Sequence, residues 1–372
     1  MGSHWFPSLA TLLAAGFLAG CASDGAPLDP SPRGDGDIPA LMASHDVPGL
    51  AITIIREAAI DTVLTFGVID TSGAPVTSAT RFQAASLSKP VAATAALRLA
   101  AGGTIDLDGD IDTVLSGWHI PRNPFTGSAP VTVRHLLAHQ AGTTVSGFPG
   151  YGEGEALPDL LAVLNGTPPA NTPPVTVTAA PGSRFRYSGG GFVILQQALT
   201  DRTGQPFADL VGDQVLSPLG MNGSIFSVAA PDGVESAAGH DATGMMLPGR
   251  HHRYPELAAA GLWSTPSDLA RFLIDLHRAW TGESGRLLDP AMALAMLTPV
   301  ANSPMGLGMG VWSRNGEVWF GHNGANAGYR CLMLMHRESG AGAVLMCNGE
   351  NGAPLIDRLV YRIGTAEGWP GY

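Results

Sequence analysis

Lysine is almost missing from this chain. Of its 20 basic residues, 19 are arginine and one is lysine, Lys89. Cations are thus supplied by a side chain that stays protonated, and the one that can lose its proton when desolvated is kept at a single position. Cysteine is scarce as well: three residues, at 21, 331 and 347, too few and too far apart for a zinc cluster. Charged residues make up only 14%, and the formal charge of −11 argues against nucleic acid or an anionic membrane surface as a partner, since either wants a basic face. What is abundant is apolar and small, 45% hydrophobic with 49 glycines, in a chain of 372 residues. That is enough for one large core or two moderate ones.

The lone lysine sits in Ser86-Leu87-Ser88-Lys89, and residues 91–100 behind it read as a helix stopped by Gly102-Gly103. Residues three apart share a helix face, so Ser86 and Lys89 can point into one site. Ser86 falls where unpaired backbone N–H groups favour developing negative charge, and Pro90 suits a first turn. A serine whose proton can pass to a neutral amine is an activated nucleophile.

In chain order, residues 9–18 form an apolar run too short for a bilayer but right for a signal segment, and they lead into Leu18-Ala19-Gly20-Cys21. This resembles a bacterial lipobox, so residues 1–21 are expected to be a lipoprotein signal and Cys21 the lipid-bearing mature N-terminus, at the periplasmic face of an outer membrane. Residues 22–36 have no apolar period and read as a flexible tether to one catalytic domain over 37–372. Its α/β part is expected at about 37–100 and 255–372, with a helical part at about 101–254.

A short helix is expected at 38–45, then strands at 50–55 and 61–68 as an antiparallel hairpin beside the nucleophile helix. Residues 131–139 read as a helix capped near Thr132. His135 and His139 there have metal-ligand spacing, but no accompanying glutamate, and read as a structural pair on a packed helix. Residues 146–181, rich in proline, make a wall or lid over a site, or a surface excursion. Tyr187 precedes a glycine-opened helix ending at Gly204, and residues 261–272 are a loop and helix capped by Ser264 or Thr265. Strands follow at 317–320, 329–336 and 342–348, then a last helix at 354–362. A turn centred on Ser339 would set Cys331 opposite Cys347, a pair able to oxidise outside the cytoplasm.

Taken in order, Ser86-x-x-Lys89, Tyr187-Ser188-Gly189 and His322-Asn323-Gly324 resemble the three signature elements of the penicillin-recognising serine hydrolases. The match is to their class C β-lactamase-like branch, which includes D-amino-acid peptidases and family VIII esterases. Residues 134–142, 261–272 and 321–329 share the likeness, which runs from about 38 to 369. The resemblance implies an α+β fold: a five-stranded antiparallel sheet flanked by helices, with a mostly helical inserted region. It implies that Ser86 forms an acyl-enzyme, that Lys89 and Tyr187 share the base and acid work, and that the backbone N–H groups of Ser86 and Ala325 make the oxyanion hole. His322 joins the catalytic set, and Gly189, Asn323, Gly324 and Asn326 are the substrate-binding candidates. Neither metal nor cofactor is called for.

Two departures shape the substrate. The asparagine usual two residues after the tyrosine is Gly189, and the lysine usual on the last motif is His322, about a quarter charged at pH 7 at its unperturbed pKa. Both changes remove polar handles that β-lactams and D-Ala-D-Ala peptides use. The expected substrate is therefore a small ester or amide. The rivals are a β-lactamase or penicillin-binding peptidase and, in another class, a non-catalytic cell-envelope binding lipoprotein.

Overall fold

A computed structural model describes residues 38–372 except 128, 232 and 284. The expected signal, Cys21 and the tether lie outside the described residues. In chain order come α1 (Ile38–Ser44), β1 (Gly49–Arg56), β2 (Ala59–Gly67), β3 (Phe82–Gln83) and α2 (Ser88–Ala101). Next are α3 (Val133–Leu137), α4 (Gly189–Thr203), β4 (Ile225–Phe226), α5 (Leu257–Ala260), β5 (Leu262–Ser264) and α6 (Pro266–Thr281). Strands β6 (Gly310–Arg314), β7 (Glu317–Asn326), β8 (Tyr329–His336) and β9 (Gly342–Cys347) precede α7 (Gly352–Ala366). Short helices at Leu160–Asn165, Phe207–Val211, Ser217–Leu219 and Pro290–Met296 remain unlabelled.

The main sheet runs β2-β1-β9-β8-β7-β6, antiparallel at every step. Among the described residues it has six strands, not the expected five. The extra one is β6, joined to β7 across Asn315-Gly316, where both residues take a positive φ (50° and 91°) as a two-residue hairpin requires. β1 is buried on both faces, so it reads as a continuous β-branched run: Leu50, Ile52 and Ile54 enter one apolar cluster, Ala51 and Ile55 the other. Helix α7 covers the first face with Leu355, Ile356, Leu359 and Val360, one helical stripe worth about 1.5–3 kcal/mol per side chain. Helix α6 covers the other face and starts at Pro266 with Thr265 as its cap.

The same two-faced sheet decides the cysteines. The β8–β9 register pairs Cys331 with Met346 and Arg330 with Cys347, one residue off the expected pairing. A one-residue slip sends a side chain to the opposite face. Cys331 therefore packs in the α6-side core and Cys347 under α7, both as free buried thiols.

The hairpin of β1 and β2 is present, but it is not what lies beside the nucleophile. That place belongs to the other half of the sheet, where the turn Ala85–Leu87 packs on β7 and β8. The small sheet β3-β5-β4 delivers this turn, with Ala84 N–H bonded to Leu262 O (2.8 Å).

Candidate active site

The nucleophile turn is strained and braced. Ala85 takes φ +48°, a left-handed conformation that costs a non-glycine residue about 1 kcal/mol or more. Ser88 Oγ donates to Ala85 O (2.6 Å) and accepts from Leu262 N–H (3.0 Å), while Cys331 Sγ donates to Ala84 O (3.0 Å). Ser86 sits in this short 3-10 turn, just ahead of α2. Gly324 of β7 lies directly behind it: a Cβ there would stand 2.6 Å from Ala84 O and 2.4 Å from Cys331 Sγ. The glycine therefore makes room for the turn, rather than for substrate lying along the strand. The turn holds Ser86 against β7 where that strand has run past β6, whose pairing ends at Gly310–Gly321.

Lys89 Nζ lies 3.0 Å from Ser86 Oγ and 2.8 Å from Ala259 O, and both groups are buried. Among the described residues no carboxylate pairs with it. Burial alone lowers its pKa to about 7, so near half of it is neutral at pH 7 and can accept a proton. The ring of Tyr187 stands 5.1 Å from Nζ, and that of Phe192 5.8 Å. Tyr187 is buried and its hydroxyl has no hydrogen bond of full geometry, although Ser86 lies close enough to oppose part of the effect of burial. Burial pushes the phenol up, so it rests protonated. The pair that the sequence left to share base and acid work is thus an amine able to lose its proton near pH 7 beside a protonated phenol.

His322 is on the same pocket wall, its ring 6.1 Å from that of Tyr187. Burial, then the nearby Lys89, lowers its pKa to about 3, so it is neutral at pH 7 rather than a quarter charged. Its Nδ1 meets Asn323 O at 2.6 Å; a carbonyl only accepts, so Nδ1 carries the hydrogen. Nε2 is left as a bare acceptor, buried and unpartnered.

Residues 35–366 match the family model described as Beta-lactamase. The chain belongs to the Beta-lactamase family. It is similar to penicillin-binding protein 4 of Amycolatopsis lactamdurans, 25% identical over 83% of this chain and 83% of that protein. Esterase EstB of Burkholderia gladioli is 32% identical over 54% of this chain and 58% of its own length. A D-aminopeptidase of Brucella ovis is 26% identical over 89% of this chain and 62% of its own length. Of the solved structures, D-amino acid amidase from Ochrobactrum anthropi SV3 superposes with TM-score 0.70 at 22% identity, covering 90% of this chain and 98% of that one. A penicillin-binding protein homologue from Pyrococcus abyssi gives 0.71 at 24%, covering 90% and 76%. This chain is accordingly a β-lactamase-related serine hydrolase in the α+β fold of that family.

The remaining candidates of this Beta-lactamase-family chain divide. Asn323 and Ala325 are exposed on β7. Asn326 is turned inward, its amide nitrogen donating to Gln83 Oε1 (2.7 Å) and Ala260 O (3.2 Å), so it ties β7 to the small sheet. Gly189 is buried under Phe148, whose Cε2 would lie 2.9 Å from an added Cβ. An aromatic edge thus fills the place of the missing amide side chain. Residues 146–151 form a wall anchored at both ends, by Gly189 N–H to Ser146 O and by Tyr254 Oη to Pro149 O.

The histidine pair is not what its spacing predicts. α3 is capped by Thr132 as expected but ends at Leu137, and His139 takes φ +54° beyond it. His135 completes a capping box with Thr132, while His139 enters the pocket, its ring 4.3 Å from that of Tyr187. Sequence reasoning missed His139, and the Gln140-Ala141-Gly142 that follows it was the available sign of a helix ending early. Glu317, His336 and Glu338 group three metal-competent atoms at the far end of the β7–β8 pair, with His336 Nε2 3.1 Å from Glu317 Oε2 and 3.4 Å from Glu338 Oε2.

Proposed function

We propose that this chain hydrolyses a small ester or amide through an acyl-enzyme on Ser86. As Ser86 Oγ bonds to the carbonyl carbon, its proton passes to Lys89 Nζ. The negative carbonyl oxygen is received by the backbone N–H groups of Ser86 and Ala325. Tyr187 gives its proton to the departing alcohol or amine, and the proton held on Lys89 restores the phenol. Water then releases the acyl group by the reverse relay. The observation that carries this reading is the 3.0 Å contact between Ser86 Oγ and a buried Lys89 that has no anionic partner among the described residues. Because burial lowers the amine and raises the phenol, Lys89 is assigned as base and Tyr187 as acid.

A neutral His322 and a Gly189 covered by Phe148 support esters and small amides over substrates that need a carboxylate clamp or a side-chain amide contact. The relatives named esterase and D-aminopeptidase agree with that choice. The test is a panel of short-chain p-nitrophenyl esters, D-amino-acid amides and nitrocefin, beside labelling by a fluorophosphonate. Turnover of esters or amides, and labelling lost in Ser86→Ala, is expected. Nitrocefin as the sole substrate would make it a β-lactamase, and neither turnover nor labelling would make it a binding protein. Export and lipidation at Cys21, which rest on residues 1–21 of the sequence, are proposed with it; wild type should fractionate with membranes and Cys21→Ser should not.

A further inference from the structure

The acid of the proposed relay, Tyr187, has among the described residues no hydrogen bond of full geometry at its hydroxyl, so its placement rests on what holds its ring and backbone. One residue grips it from three sides. His139 O accepts from Arg186 N–H (2.8 Å), His139 Nδ1 accepts from Ser188 N–H (3.1 Å), and the imidazole lies over the phenol ring at 4.3 Å and 33°. The residues before and after Tyr187 and the ring itself are thus all held by His139. To do this His139 adopts a left-handed backbone (φ +54°), an unfavourable choice for a side chain of this size. Its ring also packs on Phe192 (5.3 Å), the aromatic that stands beside Lys89.

Because Nδ1 accepts a backbone N–H, the hydrogen of the neutral ring is on Nε2, and that atom is fully buried without a partner. Burial, then Lys89 and His322, keeps the ring from protonating. A neutral ring is what the relay needs, since a cation beside Lys89 would oppose its taking up the serine proton.

We infer that His139 is a positioning residue of the hydrolase: it holds Tyr187 in register with Ser86 and closes the pocket around Lys89 against water. This rests on the acyl-enzyme reading above. The measurement is kcat, KM and the pH profile of kcat/KM on a p-nitrophenyl ester, per site titrated with fluorophosphonate, for wild type, His139→Ala and His139→Asn. Asparagine places an oxygen where Nδ1 stood and omits the ring.

His139→Ala should lose about 100-fold in kcat with KM within about threefold, because Tyr187 is loosened without touching substrate. Its acid limb should move up from about 7 by a unit or so, as water entering the vacated space relieves the burial of Lys89. His139→Asn should recover about tenfold of the kcat, by keeping Ser188 N–H bonded. If His139→Ala does not fold, His139→Phe, which keeps the ring and drops the acceptor, takes its place beside His139→Asn; each should fall below wild type in kcat. Wild-type kcat in these variants, or losses confined to KM with the acid limb unmoved, would overturn the inference. Should wild type itself turn over nothing in the panel, the acyl-enzyme reading falls instead, so the two failures are told apart.

Discussion

His336 and His322 sit on paired neighbouring strands, β8 and β7, and both are almost fully buried. His336 meets Glu317 Oε2 at 3.1 Å and Glu338 Oε2 at 3.4 Å through Nε2, meets Ser339 through Nδ1, and lies 5.2 Å from the Trp319 ring. His322, on the strand half that has run past β6, has only its own neighbour's carbonyl and leaves Nε2 bare. One end of the β7–β8 pair satisfies its polar groups; the other collects unsatisfied ones, with Tyr187 Oη, His139 Nε2 and His322 Nε2 around Lys89. A buried polar group left without any partner costs about 1–3 kcal/mol, and the polar atoms at this end are the ones free to bond to a molecule entering the pocket.

The sharpest way to break that comparison is Lys89→Arg. It keeps the charge and forbids its loss, so turnover should fall at least about 1000-fold while the fold survives. Near-normal ester hydrolysis by the titrated variant would place the base elsewhere.

The unpaired end should also declare itself in stability against pH. Folded Lys89 titrates near 7 and the unfolded chain's lysine near 10.5, so between these values the unfolded state binds one proton more. The penalty of burying a charged amine is therefore full below pH 7 and is relieved as pH rises towards 10, adding up to about 1.4 kcal/mol of stability per unit from this group. Urea unfolding of wild type and Lys89→Met between pH 7 and 9 reads it. The slope difference should vanish only if the folded lysine titrates normally.

The smallest effects come from the histidines themselves. His322→Gln should lower kcat/KM about tenfold and leave stability within about 0.5 kcal/mol. His336→Gln should cost about 1–2 kcal/mol and leave kcat within twofold. Reversed assignments, read from the same melts and rates, would show that pairing is not what separates the two ends.

Much of the scaffold was legible. The solitary lysine, the serine three residues before it, the tyrosine at a glycine-opened helix and the β-branched strands are local patterns, and local patterns survive folding. β6 escaped although Asn315-Gly316 is a strong hairpin signal, because Gly-Val-Trp-Ser-Arg is short and half polar on its exposed face. The cysteine register escaped because turn centres are uncertain by the one residue that reverses every side chain. His139 escaped because spacing assumes an unbroken helix, and the helix ended two residues early.

What the chain order alone determined was which groups are available and their intrinsic chemistry: one amine able to deprotonate, one serine within reach of it, and a motif set that names the family. The folded arrangement decided their state. It removed water from Lys89, Tyr187 and His322 together, put Phe148 where an amide side chain was absent, and brought His139 across 48 residues of chain to Tyr187. Protonation depends on solvent and neighbours, and these exist only once distant segments have packed.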